Sequence, residues 1–445
     1  MMLYTTDSLF AWDRLDDSPD LRAIKEFFAL LPDGPLLEAL RAARGKGRNE
    51  YPIRTLWFCA LLQPLLRHTT MEHTLAELRR NADLRALGGM DHAAHVPRPW
   101  NMSRFLGVLG QEPFRTRLHE VFDRLVQRLG TAVPTLGEQT AGDATHLSAR
   151  RGRGANRRAQ PQPDGGRKEY TDEEGRVTRV IEWFGYKLHL LCDTRHEVVL
   201  SYAVSPASSA DNQALRELVR SAKANLPADR IDTLAYDKAC DDEGVHRLLA
   251  SEGIRPVIQT RALWRDERER PLEGAGIGNV VYDEAGTVYC YDLTQEAPVR
   301  HRMAYLGHEP ARGTLKYRCP AEHHSWRCPC SGRCNRGKRY GMTVRVKQQL
   351  DLRRFPPVPR ATKLFERLYK GRTATERVHA RLKIFWGIDD GNLAGGANFM
   401  ARVGLVMTVH IGLATLLARS RRCDPGKLGL TRLSPIARAL AENSG

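Results

Sequence analysis

The sequence predicts an α/β protein with a mixed-sheet domain, interrupted by a β-rich insertion and preceded by an all-helical N-terminal domain. Three observations carry this. Apolar residues recur at helical spacing over 21–129, switch to period two over 139–236, and return to a long helix beyond about Ala361. The prolines Pro356, Pro357 and Pro359 mark that last change. At 445 residues the chain exceeds one compact core, and its 42% apolar content is enough to fill two or three.

In the N-terminal part, Thr69 followed by Glu72 reads as a capping box ahead of Leu75, Leu78 and Ala82. A second helix start falls at Asn101, before Met102, Phe105, Leu106 and Leu109 and after the proline-bearing break at 95–100. Such a helix pair either reads DNA or simply packs. Strands follow at 139–147, 180–193, 197–204 and 231–236, with helices at 212–225 and 242–251. Three strands in meander, then helix, strand, helix and strand, make a mixed sheet. Between the first two strands, 150–168 carries seven Arg and Lys among Gly, Gln and Pro. It is either a solvated loop or a mobile arm on DNA phosphates, with Arg150, Arg151 and Arg153 as its leading contacts. Short strands at 279–282, 288–292, 299–305 and 314–318 form the insertion. The apolar run 403–418 contains His410, follows Arg402 and falls short of the roughly 20 residues of a membrane span, so it reads as a buried helix. The expected layout is 1–130 helical, for DNA binding or dimerisation; 131–262 and 359–419 the two parts of the α/β domain; 263–358 the insertion; and 420–445 a basic tail.

Sixty-nine Lys and Arg against 52 Asp and Glu leave a formal charge of +17. That excess suits a polyanionic partner, because each phosphate contact releases a counterion. Double-stranded DNA is the leading reading and a membrane surface the rival. The first fourteen residues lack the apolar core of a signal peptide, which favours a cytoplasmic protein. Five of the nine cysteines, Cys290, Cys319, Cys328, Cys330 and Cys334, fall close together, as in metal binding under reducing conditions. Cys319, Cys328, Cys330 and Cys334 could close a tetrahedral zinc site stapling an insertion without its own core. Free thiols are the equal alternative, since the spacing is Cys-x-Cys.

The segment 363–386 reads as one helix in which Tyr369, Arg372, Glu376 and Lys383 follow at intervals of three, four and seven residues. At about 100° per residue they share an arc of roughly 60°. By spacing alone, an ordinary i,i+4 ion pair between Arg372 and Glu376 is the leading explanation of such a face. The wider context decides between them. Tyr-x-x-Arg-x-x-x-Glu, with Lys seven residues on, resembles the signature of a branch of bacterial insertion-sequence DDE transposases. Gly142-Asp143-Ala144-Thr145 and Tyr236-Asp237-Lys238-Ala239 are similar to the family's two upstream motifs. Phe184 to His189, Ser205-Pro206-Ala207 and Asp211 are similar to its second and third strands. The likeness covers about residues 50–418.

This resemblance implies a ribonuclease-H-like catalytic domain with its insertion between the second Asp and the Glu. It implies that Asp143, Asp237 and Glu376 hold two Mg²⁺ (or Mn²⁺) ions per active site. Two such ions, roughly 3.5 to 4 Å apart, activate one oxygen and stabilise the other in phosphodiester cleavage. The implied activity is cleavage at terminal inverted repeats and joining of the 3′-hydroxyl ends to target DNA, by a homodimer in the bacterial nucleoid. Arg372 and Lys383 would hold phosphates, and Tyr369 would hydrogen-bond the backbone. Lys187, sharing a strand face with His189, would approach DNA. A catalytically silent DNA-binding relative, or a nuclease that never joins, are the alternatives.

Overall fold

The computed structural model describes residues 19–45, 50–150, 161–172, 176–266, 268–294, 296–390, 395–419 and 428. In chain order the helices α1 (Pro19–Leu30), α2 (Gly34–Arg44), α3 (Ile53–Leu65), α4 (Met71–Arg80), α5 (Ala82–Leu87), α6 (Pro99–Leu109) and α7 (Phe114–Ala132) come first. Next come β1 (Gln139–Ser148), β2 (Asp164–Thr171), β3 (Val177–Asp193), β4 (Val199–Pro206), α8 (Leu215–Asn225), β5 (Thr233–Tyr236), α9 (Glu243–Ser251) and β6 (Arg255–Ile258). The insertion holds β7 (Arg270–Pro271), β8 (Val280–Tyr282), β9 (Val288–Asp292), β10 (Val299–Arg302), β11 (Ala304–Glu309), β12 (Thr314–Arg318), α10 (Pro320–His324), α11 (Ser331–Cys334) and β13 (Thr343–Lys347). The chain then forms α12 (Lys363–Lys370), α13 (Thr373–Ala380), a π-turn (Arg381–Phe385) and α14 (Gly396–Arg419). Two compact units result: Met1–Glu138 with Asp143–Arg230 and Thr373–Gly445, and Gln139–Gly142 with Ile231–Arg372.

The first unit is helical around α14, against which α1, α3, α6 and α7 pack. As the sequence suggested, α14 is buried, although its length and hydropathy alone would allow it to cross a membrane. Inside it, Arg402 donates to the carbonyls of Trp386 and Gly387, and the His410 ring accepts from Val199 N at 3.1 Å. Two helix starts differ from expectation. Thr70, not Thr69, caps α4, accepting from His73 N. Asn101 is the third residue of α6, its side chain accepting from Arg98 N, because Pro99 already fixes the first helical position.

The strands β2, β3 and β4 belong to this unit and pair antiparallel, with α8 on β3 and β4. The strand β2 corrects the reading of 150–168 as loop or arm: residues 164–171 pair with the outer half of β3. Its side chains are largely exposed, so no period-two apolar signal announces it. Residues 151–160 lie outside the described residues.

In the second unit, the start of β1, β5 and β6 run parallel, with Ala141 opposite Ala235 and Ala235 opposite Val257. Parallel and antiparallel pairs together give the mixed α/β character expected. Residues Ala141, Ala235, Val257, Val358, Phe365 and Leu368 form one core beneath α12. The insertion comprises two antiparallel sheets, β7 to β10 and β11 to β13. The expected strand at 299–305 is in fact two, divided at buried Met303. Contrary to expectation, the insertion has its own core, including Val280, Val288, Leu315, Tyr317, Val346 and Phe355.

Candidate active site

Each of the two upstream aspartates follows a residue whose size is set by packing. Tyr236 is buried at the end of β5, and its ring lies where a side chain on Gly142 would have to go: a Cβ there would meet the ring at 2.2 Å. Only glycine fits. Since Ala141 pairs with Ala235, Asp143 and Asp237 each stand two residues beyond a paired alanine. The Asp237 carboxylate is exposed and accepts from Lys238 N at 2.6 Å, capping the short turn Lys238–Cys240. That is the ordinary task of a strand-end aspartate.

Asp143, in the first unit, is half-buried, and its Oδ2 lies 3.7 Å from His379 Nδ1 on α13. Burial, then the neighbouring Lys383, Lys168 and His146, push His379 down to about 3. The ring is therefore neutral near pH 7, and this contact is not an ion pair. Glu376 is exposed one helical turn before His379. The structure thus brings α13, which carries Glu376, to Asp143; Asp237 belongs to the second unit.

The single helix expected over 363–386 is interrupted. The amides of Gly371 and Arg372 bond to Leu368 and Tyr369, three residues back, and α13 starts afresh at Thr373. Glycine's low helix propensity lies at the break. Lys383 then lies within a π-turn, so the four signature residues do not share one uninterrupted helical face. Tyr369 stacks on Phe365 with centroids 5.7 Å apart, and the Arg372 guanidinium lies 5.9 Å from the Tyr369 ring. Lys383 sits 3.4 Å from Asp389.

Other expected residues have internal roles. Lys187 donates to Asp211 at 3.0 Å and to the Ser209 carbonyl, so its ammonium is engaged within the fold. His189 is buried against Ser205. Arg150 is exposed, while Arg151 and Arg153 lie outside the described residues. Of the two equal readings of the cysteines, zinc finds no support. Among the described residues no three His, Cys, Asp or Glu side chains are grouped to hold a metal ion, and Cys319 is instead part of the insertion's core. An insertion with its own core has no need of a metal staple.

Sequence reasoning missed a buried ionic cluster four residues beyond Asp237. Asp241 accepts from Arg353 at 2.7 Å, from Arg360 and His246 at 3.0 Å, and from Arg261 N at 2.8 Å. Burial pushes its carboxyl up, but these hydrogen bonds and cations outweigh it and hold the carboxyl below its ordinary value. Arg360 also donates to the carbonyls of Ile258, Ala285 and Arg353. One guanidinium thus ties the end of β6 to both flanks of the insertion.

Residues 136–411, more than half of the chain, match the family model described as Transposase DDE domain. The chain belongs to the DDE transposases. Residues 13–107 match a second model, Transposase domain (DUF772), over the region of α1 to α6. No curated protein matches the chain. The transposase match runs from before β1 into α14 and includes Asp143, Asp237, Glu376 and the whole insertion. The protein is therefore an insertion-sequence transposase, an enzyme acting on DNA, from a family that generally depends on divalent metal.

Proposed function

We propose that this transposase cleaves DNA at the terminal inverted repeats of its element and joins the freed 3′-hydroxyl ends to target DNA, with Asp143, Asp237 and Glu376 as the metal-holding carboxylates. The observation that carries this reading is the pairing of Ala141 with Ala235, which sets both aspartates two residues past matched positions on parallel neighbours. An all-oxygen carboxylate set suits Mg²⁺ or Mn²⁺ rather than a softer metal. The His379 ring, 3.7 Å from Asp143, is neutral near pH 7 and brings no positive charge of its own to that carboxylate. Bound there, a pair of divalent ions would activate the attacking oxygen and stabilise the leaving one.

The protein's own residues supply the rest. Arg372 would hold a phosphate as a fork, Tyr369 would hydrogen-bond one, and Lys383 would exchange Asp389 for one. The formal charge of +17 supports a double-stranded DNA partner. Pairing two element ends calls for a homodimer on DNA, in the bacterial cytoplasm. The test is an assay with oligonucleotide repeats from the element's own ends, scoring cleavage and strand joining separately. Mg²⁺-dependent cleavage with joined products supports the proposal. Binding without cleavage, or cleavage without joining, would replace it with a silent DNA-binding protein or a nuclease.

A further inference from the structure

The turn between β3 and β4 is built on Asp193, whose carboxylate accepts from the backbone amides of Gly137 at 2.7 Å, Arg195 at 2.8 Å and His196. Its last residue but one, Glu197, adopts a left-handed backbone (φ +56°) and is 1% exposed. Such a backbone is unfavourable for a non-glycine residue and persists only where the surroundings enforce it. The Glu197 amide donates to the Asp193 carbonyl at 3.0 Å within the turn, and its carboxylate and carbonyl are held from α13 and the π-turn that follows. Arg377 Nε donates to Glu197 Oε1 at 2.8 Å, Arg381 Nη2 to Oε2 at 2.8 Å, and Arg381 Nη1 to the Glu197 carbonyl at 3.0 Å. Arg377 and Arg381 stand one turn apart, so a single carboxylate grips α13 and the start of its π-turn.

We propose that Glu197 is the positioning residue that sets the rotation of α13 about its axis and so aims the Glu376 carboxylate. The inference rests on the reading of Glu376 as a metal ligand. At about 100° per residue, Glu376 and His379 lie roughly 120° and 180° round the helix from the arginine pair. The grip is therefore on the back of the helix, while His379 on the far side meets Asp143 at 3.7 Å. With side chains reaching 5–6 Å from a helix axis, a 20° rotation moves a carboxylate about 2 Å. A working site tolerates about 0.5 Å. Apolar packing at Glu197 would hold the helix down equally well, since a buried ion pair contributes little net stability over a hydrophobic replacement. What two guanidiniums on one carboxylate add is a fixed angle.

The test compares the parent with Glu197→Gln, which keeps shape and removes the charge. Mn²⁺ binding to the metal-free protein is read from the electron paramagnetic resonance signal of free Mn²⁺, alongside melting temperature and the Mg²⁺ dependence of end cleavage. Glu197→Gln should bind Mn²⁺ about tenfold more weakly, in line with other groups that orient metal ligands. It should need correspondingly more Mg²⁺ for half-maximal cleavage and bind DNA ends within about twofold of the parent. Arg377→Met, at a half-exposed side chain and so safe for folding, should weaken Mn²⁺ in the same direction by about threefold. Folded Glu197→Gln protein with parental Mn²⁺ affinity and Mg²⁺ dependence would overturn the proposal. If that variant does not fold, parental values for Arg377→Met would overturn it. Glu376→Gln separates the two ideas: parental metal binding and cleavage in that variant would overturn the reading of Glu376 itself.

Discussion

A methyl group on Gly142 would sit 2.2 Å from the ring of Tyr236, so the residues immediately before Asp143 and Asp237 are one packing unit. Neither of the two sequence motifs is explained alone: the glycine of the first makes room for the tyrosine of the second. Gly142→Ala should cost about 1–3 kcal/mol, as overpacked cores do, and should lower end cleavage with it. Tyr236→Leu in the same chain should recover much of the stability. An unchanged urea midpoint in Gly142→Ala would show that the ring has somewhere else to go.

Single Ala substitutions at Asp143, Asp237 and Glu376 should each reduce Mg²⁺-dependent end cleavage by on the order of 10³-fold or more, the scale of losing a member of a catalytic set. DNA-end binding, carried by Arg and Lys elsewhere, should stay within about threefold. Gel-shift and cleavage assays on the same preparations make the comparison, and a variant cutting at the parental rate removes its residue from the set.

Asp241→Ala leaves Arg353 and Arg360 buried without their anion, and breaking such a cluster costs about 3–5 kcal/mol. The expected result is a lower melting temperature for the second unit together with greater protease sensitivity near Ala285, one of Arg360's carbonyl partners. Parental melting would mean that water replaces the carboxylate at little cost.

Acid should destabilise the fold at pH values above the ordinary carboxylate range. Burial pushes His189 down to about 4, and His379 and His410 to about 3, from 6.5. The unfolded chain therefore binds more protons below pH 6.5, so the stability these rings give is complete above 6.5 and is lost as pH falls towards 4. Asp193, pushed up to about 6 by burial, takes up a proton in the folded state and opposes one of them. The net slope should be on the order of 1–3 kcal/mol per pH unit between pH 6 and 4. Urea midpoints at pH 7, 6 and 5 measure it, and His410→Gln, which can still accept from Val199 N, should flatten the profile. Equal midpoints across that range would contradict the buried neutral rings.

Chelation should leave the insertion's unfolding unchanged, because Cys290 and Cys319 are packed in a hydrophobic core. A fall in melting temperature with EDTA, reversed by zinc, would restore a metal role to the cysteines.

What the sequence made legible was whatever repeats locally. The strands β9 and β12 fall where alternation and turn residues put them, β1 and β5 within two residues of it, and α14 wherever an unbroken apolar run must be buried. What stayed hidden depends on partners far along the chain. Glu197 meets Arg381 across 184 residues and Asp241 meets Arg360 across 119, and no periodicity links such pairs. The strand β2 escaped because its described side chains are mostly exposed, and the insertion's core because no short strand contributes more than two residues to it. The break at Gly371 was visible as a residue but not as a consequence, since glycine within a helical pattern is often tolerated.

The first unit is assembled from three separated stretches of chain, and its central helix is the last to be made. While the ribosome is still translating the insertion, α1, α3, α6 and α7 have no α14 to close on, and their apolar faces wait for it. Folding of the N-terminal helices is thus a late event in synthesis rather than an early one. A polypeptide cut short anywhere before residue 396 would lack the helix on which the N-terminal helical core closes. Synthesis of α14 and closure of the N-terminal helical core are, in this architecture, the same checkpoint.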